Sequence, residues 1–344
     1  MLTAPFPYFG GKSRASAMIW AAMGDVTNYV EPFFGSGAVL FGRPEKHTGR
    51  TVTINDSDGH LSNVWRALKT DPEAVAAAAD WPVSECDLTA RHLWLVEQRA
   101  ALTARLQTDP DYFDPRAAGW WIWGACSWIG SGWCSGEGPW SAEDGRWVKV
   151  TRKLPHVGNA GRGINRKLPH VGNAGRGINR QLPHVGNAGR GAAILEWFSA
   201  LQNRLRTARI TCGDWSRVCT PVVTHRHGLT GVVLDPPYPE GFDPNATYSG
   251  QTGSAADLWR DVVGWAEENG RRPDMRIVLC GYEGAGDPPS GWRRVYWAAR
   301  GGYGNAGGAD AEDNRHRETL WLSPACLAIT ATNGRQSSMF GVTG

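Results

Sequence analysis

Along this chain the apolar positions fall into two kinds of run. Short runs of β-branched and aliphatic residues stop at a polar or acidic residue, and longer stretches repeat their apolar positions at helical spacing. Gly231-Val232-Val233-Leu234 is the most uniform short run and reads as a strand buried on both faces. It halts at Asp235-Pro236-Pro237-Tyr238, where two prolines bar a further ladder. Tyr29-Val30-Glu31 reads as another strand, followed by a Gly35-Ser36-Gly37 turn and an apolar helix start. Thr51–Asp56 and Ile210–Trp215 are further strands, each ending in an acid or beside one, and Arg276–Gly281 joins them. Trp292–Ala298 and Glu318–Leu322 read as closing strands. Helical spacing predicts helices over Ser13–Met23, 59–69, Thr89–Gln107, Ala192–Thr207 and Ala255–Asn269. Strands alternating with helices in this way imply an α/β fold around a parallel sheet.

From about residue 85 the character changes. Trp120-Trp121-Ile122-Trp123-Gly124-Ala125-Cys126-Ser127-Trp128 runs into a glycine-serine loop through Gly138. These rings are expected to form an insertion's own small core, with one or two left to stack or wedge against bases. A 14-residue unit follows: Lys153 to Arg166 recurs unchanged at 167–180, and a third copy covers Gln181 to Gly191. Glycine, proline and asparagine interrupt each copy, so the units are not stacked helices or strands. One reading is a set of loops that track phosphates; the other is a tandem duplication tolerated in a solvated loop. The stretch from Tyr238 to Gly253 is expected to be a mobile loop beside a site, Gly301–Gly308 a loose linker, and 331–344 a disordered tail.

Length and charge narrow the possibilities. At 344 residues with 41% hydrophobic content, the chain is long for one simple domain, so one large domain with an insertion, or two domains, is expected. No run of 18 apolar residues, basic-then-apolar leader or Cys-x-x-Cys pair is present, which points to the cytoplasm and away from a membrane, a disulfide scaffold or a zinc site. Net charge is only +3, yet residues 151–190 carry eight Lys and Arg and no acid. A basic segment on a near-neutral body is the pattern of a polyanion binder.

Chemistry gathers at the strand ends. In open α/β sheets ligands bind at the carboxyl edge. There the Asp235 carboxylate and a carbonyl freed from the ladder can accept two hydrogen bonds from one NH2 group, while Tyr238 can stack on a flat base. The plainer alternative is a proline-turned strand end with Asp235 as its cap. Main-chain N–H groups at Gly35–Gly37 can meet a ligand. Leu40 replaces the third glycine of a dinucleotide fingerprint, and Glu31 would repel a pyrophosphate but attract an ammonium or sulfonium. Asp56, roughly 20 residues beyond that turn, is spaced to bond ribose hydroxyls. Asp58 competes for this role and is equally suited to cap the following helix. Lys12, after Gly10-Gly11, is suited to an anion. No Ser-His-Asp order, metal-spaced His/Cys set or phosphate-binding Gly-x-x-x-x-Gly-Lys-Ser/Thr is present, so hydrolysis and NTP chemistry lack support.

Five motifs in order resemble the Dam-like adenine-N6 DNA methyltransferases that use S-adenosylmethionine. They are Pro-Tyr-Phe-Gly-Gly-Lys at 7–12, Glu-Pro-Phe-Phe-Gly-Ser-Gly at 31–37, Asn-Asp-Ser-Asp at 55–58, Cys-Gly-Asp-Trp at 212–215 and Asp-Pro-Pro-Tyr at 235–238. The resemblance implies a Rossmann-like methyltransferase sheet with helices on both faces and an inserted target-recognition region. The catalytic domain would comprise 1–85 and 196–330, and the insertion 86–195. It further implies that Tyr8 and Lys12 lie against the cofactor, Lys12 facing its carboxylate. Glu31, Pro32, Phe33, Gly35 and Gly37 would hold the methionine moiety, Asp56 the ribose, and Asp214 with Trp215 the adenine. Asp235, Pro236, Pro237 and Tyr238 would hold the target base. Arg162, Arg166, Arg176, Arg180 and Arg190 are the expected contacts to double-stranded DNA, approached by a monomer. Cytosine-N4 methylation and a silent DNA-binding module stay open as alternatives, and no partner endonuclease is identified.

Overall fold

A computed structural model describes residues 2–8, 11–47, 51–128, 133–134, 140–143, 146–149, 168–169, 178–179, 189–237, 255–282, 289–297 and 318–329. Seven strands form the main sheet: β1 (Asn28–Glu31), β2 (Thr51–Asp56), β3 (Ala208–Cys212), β4 (Thr230–Leu234), β5 (Met275–Tyr282), β6 (Arg293–Tyr296) and β7 (Glu318–Leu322). Their spatial order is β6-β7-β5-β4-β1-β2-β3. The β4–β1, β1–β2, β2–β3 and β4–β5 pairs are parallel, while β7 runs antiparallel between β5 and β6. The order turns back on itself between β1 and β4, which is the switch point where such sheets open a crevice.

Alternation along the strands feeds a core on each face. Tyr29, Val233, Val278, Cys280 and Leu320 join the larger core, with α1 (Ser16–Met23), the short α2 (Ala38–Phe41), α3 (Gly59–Thr70), α4 (Pro72–Ala79) and α7 (Gly189–Leu205). Val30, Val232, Leu234, Ile277 and Trp321 face the other way, against α8 (Ala255–Gly270) and a 3-10 turn at Trp215–Val218. Strands buried on both sides explain why β4 reads as an unbroken apolar run, for all five of its residues are buried. The expected helices are present with ends shifted by a few residues. Two more, α4 and α6 (Pro115–Ser127), start in the same manner: Asp71 and Asp114 accept hydrogen bonds from Ala74 N–H and Ala117 N–H, each followed by proline at the first helical position.

The tryptophan segment differs from expectation. Trp121, Ile122 and Cys126 on α6 enter the main core, and the Trp121 ring meets Phe6 edge-on with centroids 4.8 Å apart. Trp123 and Leu88 form a separate small cluster, with Val83, Trp128 and Trp133 packed against it. The reason is that α5 (Glu85–Thr108) and α6 lie against α3, so these helices extend the main core and the rings divide between it and the small cluster. Tyr238, Arg162, Arg166, Arg176 and Arg180 lie outside the described residues, as do 331–344. Arg190 is within α7.

Candidate active site

The site forms where β1, β2, β3 and β4 release their chains at the carboxyl edge. Glu31 is the last residue of β1 and is 3% exposed. Tyr29 lies two residues back on the same face and donates its hydroxyl to Glu31 Oε2 at 2.6 Å. Burial pushes the Glu31 carboxyl well above the usual range, and the carboxylates of Asp235 and Asp56 push it further, against the lowering effect of the Tyr29 bond.

Beyond Glu31 the chain turns through Gly35 and Gly37, which have φ of +48° and +66°. A Cβ on Gly35 would stand 2.7 Å from the Tyr8 ring, so the glycine lets that ring lie on the loop. Gly35 N–H donates to Asp56 Oδ2 at 2.9 Å, and the Trp65 indole donates to Gly35 C=O at 3.0 Å. Asp56 also accepts from Asp58 N–H at 2.9 Å. Burial raises the Asp56 carboxyl to about 7 despite these bonds. Asp58 serves as the N-cap of α3, accepting from His60 N–H at 2.8 Å, with Arg99 at 3.8 Å. The capping role weighed for Asp58 is therefore occupied, and Asp56 is the acid joined to the glycine loop.

Asn55 ties the strand ends together. Its amide donates to Pro32 C=O at 3.0 Å and to Gly213 C=O at 2.9 Å, and it is 1% exposed. It thus fixes the loop after β1 to the loop after β3 from its position on β2. Phe33 stacks on Trp215 with centroids 6.0 Å apart, and Trp265 meets Trp215 edge-on at 6.3 Å. Asp214 is exposed and caps the 3-10 turn, accepting from Ser216 N–H at 2.9 Å and from the Ser216 hydroxyl. Asn55 and Tyr29 are functional supports that attention to acids and glycines passes over. The polar pair Asn55-Asp56 closing an apolar strand is the available signal.

Past β4, Asp235 accepts an ion pair from Lys12 Nζ at 2.9 Å, with Lys12 4% and Asp235 22% exposed. Val233 feeds the larger core, so Asp235, two residues on, is directed to the same face as Glu31. Pro236 and Pro237 are buried beside it. The structure therefore brings Lys12 onto Asp235. It gathers Tyr8, Lys12, Glu31, Gly35, Asp56 and Asp235 at one edge.

Residues 8–85 match the family model described as D12 class N6 adenine-specific DNA methyltransferase. Over those residues the chain is similar to this family. The match spans Tyr8, Lys12, the Glu31–Gly37 loop and Asp56. No match is found among curated proteins. The match supports N6-adenine DNA methyltransferase activity in general, in a family that generally depends on S-adenosylmethionine. The sheet order, with one antiparallel strand beside an otherwise parallel set, agrees with the Rossmann-like methyltransferase fold. Among the described residues, no helix is long and apolar enough to cross a membrane.

Proposed function

We propose that this methyltransferase transfers the methyl group of S-adenosylmethionine to the N6 amine of an adenine extruded from double-stranded DNA. The observation that carries the reading is the adjacency of β1 and β4, paired Tyr29 to Gly231 and Val30 to Val232, which sets the Glu31–Gly37 loop beside Asp235. The cofactor suits the residues present. Glu31 offers a buried carboxyl to an ammonium, and Asp56 keeps acceptor capacity for ribose hydroxyls beyond its main-chain donors, Gly35, Ser57 and Asp58. Gly35 and Gly37 leave main chain uncovered where any side chain would collide with Tyr8, Phe34 or Phe41. Phe33 and Trp215 supply aromatic surface for an adenine, with Asp214 at the rim. Bound there, S-adenosylmethionine supplies an electrophilic methyl group on a sulfonium.

The chain's own contribution is positioning and electrostatics. The amine of adenine is a poor nucleophile because its lone pair is delocalised into the ring. Hydrogen bonds from its two N–H groups to the Asp235 carboxylate and the Pro236 carbonyl localise that pair on nitrogen. When the nitrogen gains the methyl group it must release a proton, and the Asp235 carboxylate already bonded to it is the acceptor. A base inside a duplex cannot reach this edge, so it is flipped out, and Tyr238 stacks on it. Residues 86–195 are the proposed target-recognition region, with Arg162, Arg166, Arg176, Arg180 and Arg190 on phosphates and the enzyme acting as a cytoplasmic monomer.

The test is transfer of a labelled methyl group to DNA, with nucleosides then identified by mass spectrometry. N6-methyladenine in DNA treated with the wild-type chain, and none with Asp235→Ala, is the expected result. Undiminished turnover by Asp235→Ala would remove Asp235 from the mechanism.

A further inference from the structure

Glu318 belongs to none of the five motifs, yet it is 6% exposed at the first position of β7, and its Oε2 has no hydrogen-bond partner among the described residues. An unpaired carboxylate oxygen in such a place is costly unless a donor reaches it at some stage. Sheet register shows which donor is close. Leu234 pairs with Leu279, which puts Asp235 level with Cys280; Cys280 pairs with Leu320, and Glu318 pairs with Tyr282. Cys280 and Leu320 both feed the larger core, so Glu318, two residues from Leu320, projects on the same face as Asp235. The Lys12 ammonium, 4% exposed, serves that face, and both it and the Asp235 carboxylate act electrostatically on Glu318.

These relationships create a difficulty for the reaction that a second carboxylate resolves. Asp235 holds Lys12, but catalysis asks Asp235 to accept a hydrogen bond from the base. Turning toward the amine would lengthen the ion pair that a buried ammonium makes with Asp235. We propose that Glu318 is a positioning residue for methyl transfer, whose unpartnered oxygen receives the Lys12 ammonium when Asp235 turns to the target amine. This rests on the role of Asp235 given above. Lys12 moves between two carboxylates, no bond is made or broken at Glu318, and the site's net charge is unchanged.

The experiment compares wild type, Glu318→Gln and Glu318→Asp in steady-state methyl transfer, with thermal melting and cofactor calorimetry on each. The Gln variant keeps the side chain's size and removes its charge. It is expected to lose kcat by about tenfold while its KM for DNA stays within about twofold. The Asp variant, charged but shorter, is expected to restore most of that rate. A Gln variant with wild-type kcat overturns the proposal, as does an Asp variant that regains melting temperature and cofactor binding without regaining rate. If the wild type itself transfers no methyl group to DNA, the functional reading fails and this inference with it. An active wild type with an indifferent Gln variant overturns Glu318 alone.

Discussion

Lys12 Nζ lies 2.9 Å from Asp235 Oδ1, joining the segment before α1 to the end of β4. A buried pair of this kind contributes little over an apolar replacement, but losing one partner strands the other charge. Asp235→Asn is expected to destabilise the protein by about 2 kcal/mol, less than for a fully buried pair because Asp235 is partly exposed. It should lower methyl transfer about 100-fold or more. Adding Lys12→Met to Asp235→Leu should recover the stability but none of the activity. Chemical denaturation and a methyl-transfer assay on the single and double variants check both parts.

Asp56 gives the ligand-free enzyme a pH-dependent weakness. Its folded carboxyl titrates at about 7, above its ordinary range, so the folded state holds a proton that the unfolded chain has already released. The stability this provides is complete below the ordinary carboxylate range and is lost as pH rises through about 7. Glu31, raised for the same reason, acts in the same direction. The melting temperature of ligand-free protein should therefore fall between about pH 5 and about pH 8, and Asp56→Asn should flatten that fall by about 1–2 kcal/mol. The same variant should bind S-adenosylmethionine more weakly by about tenfold, since it removes a carboxyl that can ionise when the ribose hydroxyls donate to it.

Two glycines with opposite surroundings give a paired test of the loop. Gly37 has φ of +66°, and an added Cβ would sit 2.5 Å from Phe34 Cζ, whereas Gly264 on α8 has nothing within 4 Å. Gly37→Ala should cost about 2–3 kcal/mol and impair cofactor binding, through both strain and displacement of the phenyl ring. Gly264→Ala should stabilise by about 0.5–1 kcal/mol, because it only removes backbone freedom from a helix interior. Melting curves distinguish them directly.

Much of this is legible in the sequence because strand-end chemistry has local causes. The apolar run of β4 and its double-proline stop mark the central strand and its acid together, and the Asp58 cap marks the start of α3. The helices α4 and α6 escape a reading by periodicity because alanine-rich and tryptophan-rich stretches carry a weak polar alternation. Their Asp-Pro starts are the usable sign. Pairings between distant segments have no local trace. Lys12 reads as a cation awaiting an anion, and only the folded sheet reveals that the anion is Asp235. Asn55 and Glu318 likewise acquire meaning from strands that neighbour them in space.

Neutralising Arg162, Arg176 and Arg190 together tests the basic repeats. If they follow phosphates, DNA affinity falls and the salt dependence flattens by about one unit of slope for each phosphate left without its arginine. Fluorescence anisotropy on a duplex across a salt series reads both, and an unchanged slope would mark the repeats as passengers.

Because β1 and β4 share a hydrogen-bonded ladder, the interval between donor loop and acceptor motif is a lattice spacing of the sheet, about 4.8 Å from strand to strand. Main-chain hydrogen bonds set that interval within the ladder. How readily a nucleotide leaves its stack should then weigh on turnover. Lesions or mismatches that loosen a target adenine should be favoured substrates.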